Sequence, residues 1–168
     1  MLRSARSPGG LLLVGTPAVE PWHLAAHLDS ESQYAGIPEL APTLIRWSIP
    51  PGAPPHLRIG LDRLEAARRG ETVFVVTAES APVPLLERVS DARRTGATVL
   101  ALDQGDSELE GLAHESLIVP QEIGALVSFD GVQHLVSAAA GERNAPATGR
   151  GLRARLARLL DTVSGPVG

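Results

Sequence analysis

Thr72-Val-Phe-Val-Val-Thr77, Ala78-Glu-Ser-Ala-Pro-Val-Pro84, Leu85 to Thr95 and Gly96-Ala-Thr-Val-Leu-Ala-Leu-Asp103 together decide the fold. The first segment is a β-branched apolar run, the third has helical spacing, and the last is a second apolar run. A strand, a helix and a strand within about 30 residues make a βαβ unit, whose two strands must be parallel. Strands this uniformly apolar are buried on both faces, which places them in a parallel sheet inside an α/β domain.

Outward from that unit, the pattern repeats on both sides. Leu11-Leu-Leu-Val-Gly15 reads as a first strand, with Thr16 to Glu20 as its exit loop. Pro21 starts a helix to about Leu28, since a proline at the first turn loses no helical hydrogen bond. Asp29 to Pro42 is polar and is interrupted by Gly36 and Pro38. Thr43 to Ile49 is a second strand, closed by Pro50-Pro-Gly-Ala-Pro-Pro55. Leu57, Leu61, Leu64 and Ala67 fall on one face of a helix over His56 to Arg69, which Gly70 ends. Ser107 to Ala113 is a short helix and Ser116 to Val119 a fifth strand. Ile123 to Ala140 has the apolar density of a helix covered on more than one side, and Leu152, Leu156, Leu159 and Leu160 make the last helix amphipathic. The expected layout is one three-layer α/β domain over residues 1–141, with a linker and docking helix over 142–168.

Composition narrows the chemistry. A chain of 168 residues holds one domain with a proper core. Cysteine is absent, so disulfides, thiolate metal sites and cysteine nucleophiles are excluded. Every basic residue other than histidine is arginine, which excludes Schiff-base chemistry and a phosphate-binding lysine. A net charge of −4 argues against nucleic acid as the main partner. No apolar run reaches membrane-spanning length, so no membrane partner is expected and a cytoplasmic location is.

The span from Glu71 to about Gly141 resembles the sugar-isomerase (SIS) domain, which binds phosphosugars. In that family a strand ends in a Ser-x-Ser-Gly-x-Thr loop before a helix. A Gly-Ala-x-Val strand, a small helix and a strand ending in Val-Pro then follow. Val73 to Val76, Leu85 to Arg94, Gly96-Ala-Thr-Val-Leu-Ala101, Ser107 to Ala113 and Leu117-Ile-Val-Pro120 fall in that order and spacing. Glu122-Ile-Gly124 is similar to a helix entry in the glucosamine-phosphate synthase branch. The resemblance implies a five-stranded parallel sheet of order 2-1-3-4-5, with a ligand crevice between the carboxyl ends of strands one and three. Thr16 to Glu20 and Thr77 to Pro82 would meet there.

The residues that would form the family's phosphate cradle differ here. Thr77 keeps a hydroxyl at the first serine position, but Glu79 falls on the second and Ser80 on the glycine. Pro82 replaces the threonine, and with Pro84 it removes N–H donors from the helix entrance. Thr16, Thr77, Glu79 and Ser80 are therefore the candidate ligand-binding residues. Glu122 as base and His134 as its partner are the catalytic candidates that the resemblance implies. The simpler accounts are a helix N-terminal acid for Glu122 and an interface histidine for His134. His23 and His27, four apart, can place two imidazoles on one helix face, but a polar face explains them as well and no metal site is assigned. Arg150, Arg153, Arg155 and Arg158 read as a solvated face.

The expectation is a carbohydrate-derivative binding domain that needs no cofactor and lacks full phosphosugar isomerase activity. An active isomerase of the phosphoheptose or aminosugar type is one alternative, and a structural or regulatory dimer without a ligand is another. A homodimer is expected in each case, with the Ile123 to Ala140 helix at the interface, because that helix has more apolar surface than one sheet can cover.

Overall fold

The computed structural model describes residues 10–119. Five strands form one parallel sheet: β1 (Leu11–Val14), β2 (Pro42–Ile45), β3 (Thr72–Val76), β4 (Thr98–Asp103) and β5 (Glu115–Ile118). Their spatial order is β2-β1-β3-β4-β5, as expected. Four helices complete this region: α1 (Trp22–Ala35), α2 (Asp62–Glu65), α3 (Val83–Arg94) and α4 (Ser107–Leu112).

The apolar runs explain the layers. Every residue of β1 and of β3 is buried. Successive side chains point to opposite faces, so the strands feed two cores. Leu11, Leu13, Phe74, Val76, Leu100 and Leu102 pack with Leu24 and Leu28 of α1 on one side. Leu12, Val14, Val73, Val75, Val99 and Ala101 pack with Leu64, Leu85, Val89 and Leu109 on the other, against α2, α3 and α4. At roughly 1.5–3 kcal/mol for each fully buried large side chain, these two cores supply the main driving force for the fold.

Two helix expectations need correction. The first helix does not stop near Leu28 but continues to Ala35. Its buried residues Leu24, Leu28 and Ser32 lie four apart on one stripe. The polar residues after Leu28 therefore occupy the faces that α1 does not bury, and polarity alone did not mark an end. Gly36 ends the helix instead, in the left-handed conformation at φ 65°, with its N–H donated to the Ser32 carbonyl. The continuous helix expected over His56 to Arg69 is absent. A 3-10 turn at Pro55–Leu57 and the short α2 occupy that span. Between them Gly60 bridges Arg46 in parallel, and Arg46 donates its N–H to the Ile59 carbonyl at 2.8 Å. Pairing with the end of β2 extends the backbone there, and extended backbone interrupts a helix.

At the opposite end of β3, Glu71 accepts from the Arg68 N–H at 2.8 Å and from the Arg63 guanidinium. The N-terminal edge of the sheet is thus closed by an ion pair, and the C-terminal edge is left for loops.

Gly15 sets the direction in which β1 leaves the sheet. A Cβ there would lie 2.3 Å from the Val19 carbonyl oxygen and 2.7 Å from Pro21 Cδ. Both neighbours are held, one by backbone and one by a proline ring, so Gly15→Ala should displace the whole exit loop. The expected loss is about 1–3 kcal/mol. Urea denaturation should show a lower midpoint with an unchanged slope.

Candidate functional site

The strand order reverses direction at β1: the chain leaves β1 for β2 on one side and later returns to β3 on the other. In a sheet of this order the loops after β1 and β3, at the carboxyl ends of the strands, are where a ligand crevice is expected. Extending the register past Val14–Val75 and Val76–Leu102 brings Thr16, Thr77 and Asp103 to adjacent strand ends. The Thr77 N–H confirms the alignment by donating to the Leu102 carbonyl at 2.9 Å. Thr16, Thr77 and Asp103 are 1%, 1% and 0% exposed.

The structure brings three of the four expected binding residues together. Thr16 Oγ1 donates to Glu79 Oε1 at 3.2 Å, joining the two loops. Thr16 Oγ1 also accepts from the Val19 N–H at 3.3 Å. Thr77 Oγ1 donates to the Glu79 carbonyl and accepts from the Glu79 N–H, which fixes the turn that carries the carboxylate. Glu79 is otherwise exposed, and so is Ser80, on the outside of the same turn. Glu122, His134 and the Ile123 to Ala140 helix lie outside the described residues, as do Arg150, Arg153, Arg155 and Arg158.

The entrance to α3 offers little to an anion. Pro82 and Pro84 have no N–H, the Leu85 N–H returns to the Pro82 carbonyl at 2.9 Å, and the Ala81 N–H donates to Asp106 Oδ2 at 2.6 Å. Of backbone positions 81–85, this leaves Val83. Asp106 is also the N-cap of α4, where Oδ1 accepts from the Glu108 N–H at 3.0 Å and the Leu109 N–H at 3.2 Å. Asp103 Oδ1 accepts from the Gly105 N–H at 2.7 Å and the Asp106 N–H at 2.9 Å, while its buried Oδ2 has no partner among the described residues.

Sequence reasoning missed Asp103, Asp106 and Glu20. Asp106 carried a signal, an aspartate just before a short helix. Asp103 carried a fainter one, the first acid after an unbroken apolar run. Glu20 carried none. Its Oε2 accepts from Trp22 Nε1 at 3.0 Å and from Arg46 Nε at 3.3 Å, and its Oε1 accepts from the Trp47 N–H at 3.1 Å. Arg46 lies 4.6 Å from the Trp22 ring centroid, a cation–π contact. Trp47 Nε1 donates to the Gly15 carbonyl at 2.8 Å. Glu20 therefore ties the exit of β2 to the exit of β1, one side of the crevice. Both tryptophans thus anchor loops through their indole N–H groups. His23 and His27 stack with ring centroids 5.2 Å apart. Among the described residues no group of three or more His, Cys, Asp or Glu gathers to hold a metal ion.

No protein-family model matches the chain, and no curated protein is significantly similar to it. Among solved structures it is similar to a "putative sugar binding protein" from Salmonella typhimurium LT2. The TM-score is 0.53 at 14% identity, and the match covers 92% of this chain. This chain spans 44% of that protein's length. At that identity the likeness shows a shared fold and assigns no residue a role. No helix among the described residues is long and apolar enough to cross a membrane.

Trp22 and Trp47 are the chain's two tryptophans, so selectively excited tryptophan fluorescence reports this corner. Glu20→Ala removes the acceptor for three donors, one of them a guanidinium that is 15% exposed. A loss of about 1–3 kcal/mol is expected in chemical denaturation. Emission from the folded variant should shift to the red as the rings loosen into water. An unchanged spectrum would show that the tryptophans are held by packing alone.

Proposed function

We propose that the chain is an SIS-like domain that binds a carbohydrate derivative at the carboxyl edge of its sheet and lacks full phosphosugar isomerase activity. The observation that supports this reading most directly is the Glu79 carboxylate, joined to Thr16 across the exits of β1 and β3 at 3.2 Å. A phosphate brought within ~4 Å of that carboxylate meets a repulsion on the order of several kcal/mol at an effective dielectric near 20. The backbone donors that would offset such repulsion at a helix entrance are mostly missing or already taken, by Pro82, Pro84 and the Asp106–Ala81 bond. Carboxylates and carbonyls suit donors instead, and an unphosphorylated sugar is rich in hydroxyl donors. The fold shared with a protein described as sugar binding agrees with this reading.

Calorimetry at low ionic strength tests it. The unmodified chain should bind an unphosphorylated sugar and bind sugar phosphates poorly. Glu79→Ser removes the repulsion and returns a hydroxyl, so affinity for a sugar phosphate should rise by about 1–3 kcal/mol. Tight phosphosugar binding by the unmodified chain would restore the isomerase reading, with Glu122 or Glu79 as base and His134 as partner. No binding of any sugar by either protein would favour a structural or regulatory dimer.

In this proposal the protein acts in the cytoplasm as a homodimer that uses the Ile123 to Ala140 helix, with residues 142–168 docking on the domain or across the dimer. Light scattering at tens of micromolar should give twice the 17.6 kDa chain mass. A monomer would refute the dimer without touching the binding site.

A further inference from the structure

The row formed by Thr16, Thr77 and Asp103 has more acceptors than protons. Each threonine hydroxyl carries one donor. Thr16 donates its proton to the Glu79 carboxylate, and Thr77 donates its own to the Glu79 carbonyl. Five nearby backbone N–H groups are committed too: Gly105 and Asp106 to Asp103 Oδ1, Ala81 to Asp106 Oδ2, and Glu108 and Leu109 to Asp106 Oδ1. Asp103 Oδ2 remains, fully buried and without a partner among the described residues. A buried carboxylate oxygen in a folded protein needs a donor, and a buried charge needs a counter-charge.

We propose that this row is a subsite for a protonated primary amine, carried by the ligand of the crevice. The proposal rests on the carbohydrate-derivative reading and names the group that such a ligand carries. An ammonium has three donors and no acceptor, so it satisfies Asp103 Oδ2 without competing for the spent threonine protons. It also brings the charge that a buried carboxylate requires. A neutral hydroxyl brings one donor and no charge, and a phosphate dianion brings acceptors only. A metal ion is a poorer fit, because no cluster of three ligating side chains forms among the described residues. The amine enters by parting the Thr16–Glu79 bond, the side-chain link between the two loops that end in this row. Glu79 is exposed on its own loop and can swing aside and return.

Thermal unfolding of the full chain tests the subsite without a sugar. Methylammonium chloride offers three N–H donors and tetramethylammonium chloride offers none, at the same charge and ionic strength. Methylammonium should raise Tm above its quaternary control in the wild-type protein. Asp103→Asn keeps the Oδ1 acceptor and removes the charge, so it should erase that difference. Equal Tm values in the two salts overturn the proposal from the wild-type comparison alone, and so does a difference that persists in a folded Asn variant.

Calorimetry with glucosamine and glucose separates this inference from the one beneath it. A charge-assisted hydrogen bond should make glucosamine bind about tenfold tighter than glucose, and Asp103→Asn should remove the preference. If glucose binds and glucosamine gains nothing, the amine subsite is wrong and the carbohydrate reading stands. If neither sugar binds while the methylammonium effect is present, the carbohydrate reading is wrong and the subsite stands.

Discussion

A strand with no exposed residue must be covered on both faces, and the rest of the described structure follows from meeting that demand for β1 and β3. Their side chains alternate between two cores, one sealed by α1 and the other by α2, α3 and α4. Covering both faces with one chain requires crossovers on both sides of the sheet, and those crossovers make the strands parallel. The change of direction between β1 and β3 then follows from connectivity. The loops after β1 and β3 meet where they do because the cores had to be closed, before any ligand is considered.

The carboxyl edge pays for that closure in unpaired polar groups, and the loops here answer with side chains. Trp47 takes the Gly15 carbonyl, Glu20 takes the Trp47 N–H, and Asp106 takes the Ala81 N–H. Thr16 and Thr77 both turn to Glu79. Glu20, Glu79 and Asp106 are the carboxylates on which three of these bonds end. The result is a rim made rigid by carboxylates. Asp103 Oδ2 stands outside the network, and an unsatisfied buried polar atom costs roughly 1–3 kcal/mol. That cost falls at the carboxyl edge of the sheet, while the amino-terminal edge closes with its Glu71–Arg63 pair complete.

The strands were legible because burial on both faces leaves a continuous apolar run, a signal that needs no knowledge of neighbours. Strand order was legible through family resemblance rather than from the residues. Helix limits were harder to read. Leu28 looked like the end of α1 because the following residues are polar, although a helix with one buried stripe needs only Ser32 to continue it. Leu57, Leu61, Leu64 and Ala67 matched a helical face, yet the sheet drew Ile59 and Gly60 into an extended pairing with Arg46. Periodicity reports what a segment can do alone, and that pairing is a competitor the local sequence does not show. Thr16, Thr77 and Glu79 could be placed near one another from sequence because their loops follow recognisable strands. Glu20 was missed because its partners Arg46 and Trp47 are 26 and 27 residues away.

The sign of the crevice turns on a few backbone protons. A helix entrance attracts anions because its first N–H groups are unsatisfied, and the positive end of the helix dipole resides largely on those groups. Here two positions are prolines, one N–H returns to its own helix and another is held by Asp106. The dipole of α3 remains while most of the donors that would express it are removed. Glu79 then places a carboxylate beside Thr16, and Asp103 contributes a buried one on the neighbouring strand. In the proposed reading, a handful of side chains and two prolines turn the carboxyl edge of this fold toward cations and hydroxyl donors, with no change in strand order. Fold and ligand charge are separable because the first is set by the apolar faces of the strands and the second by the residues just beyond their ends.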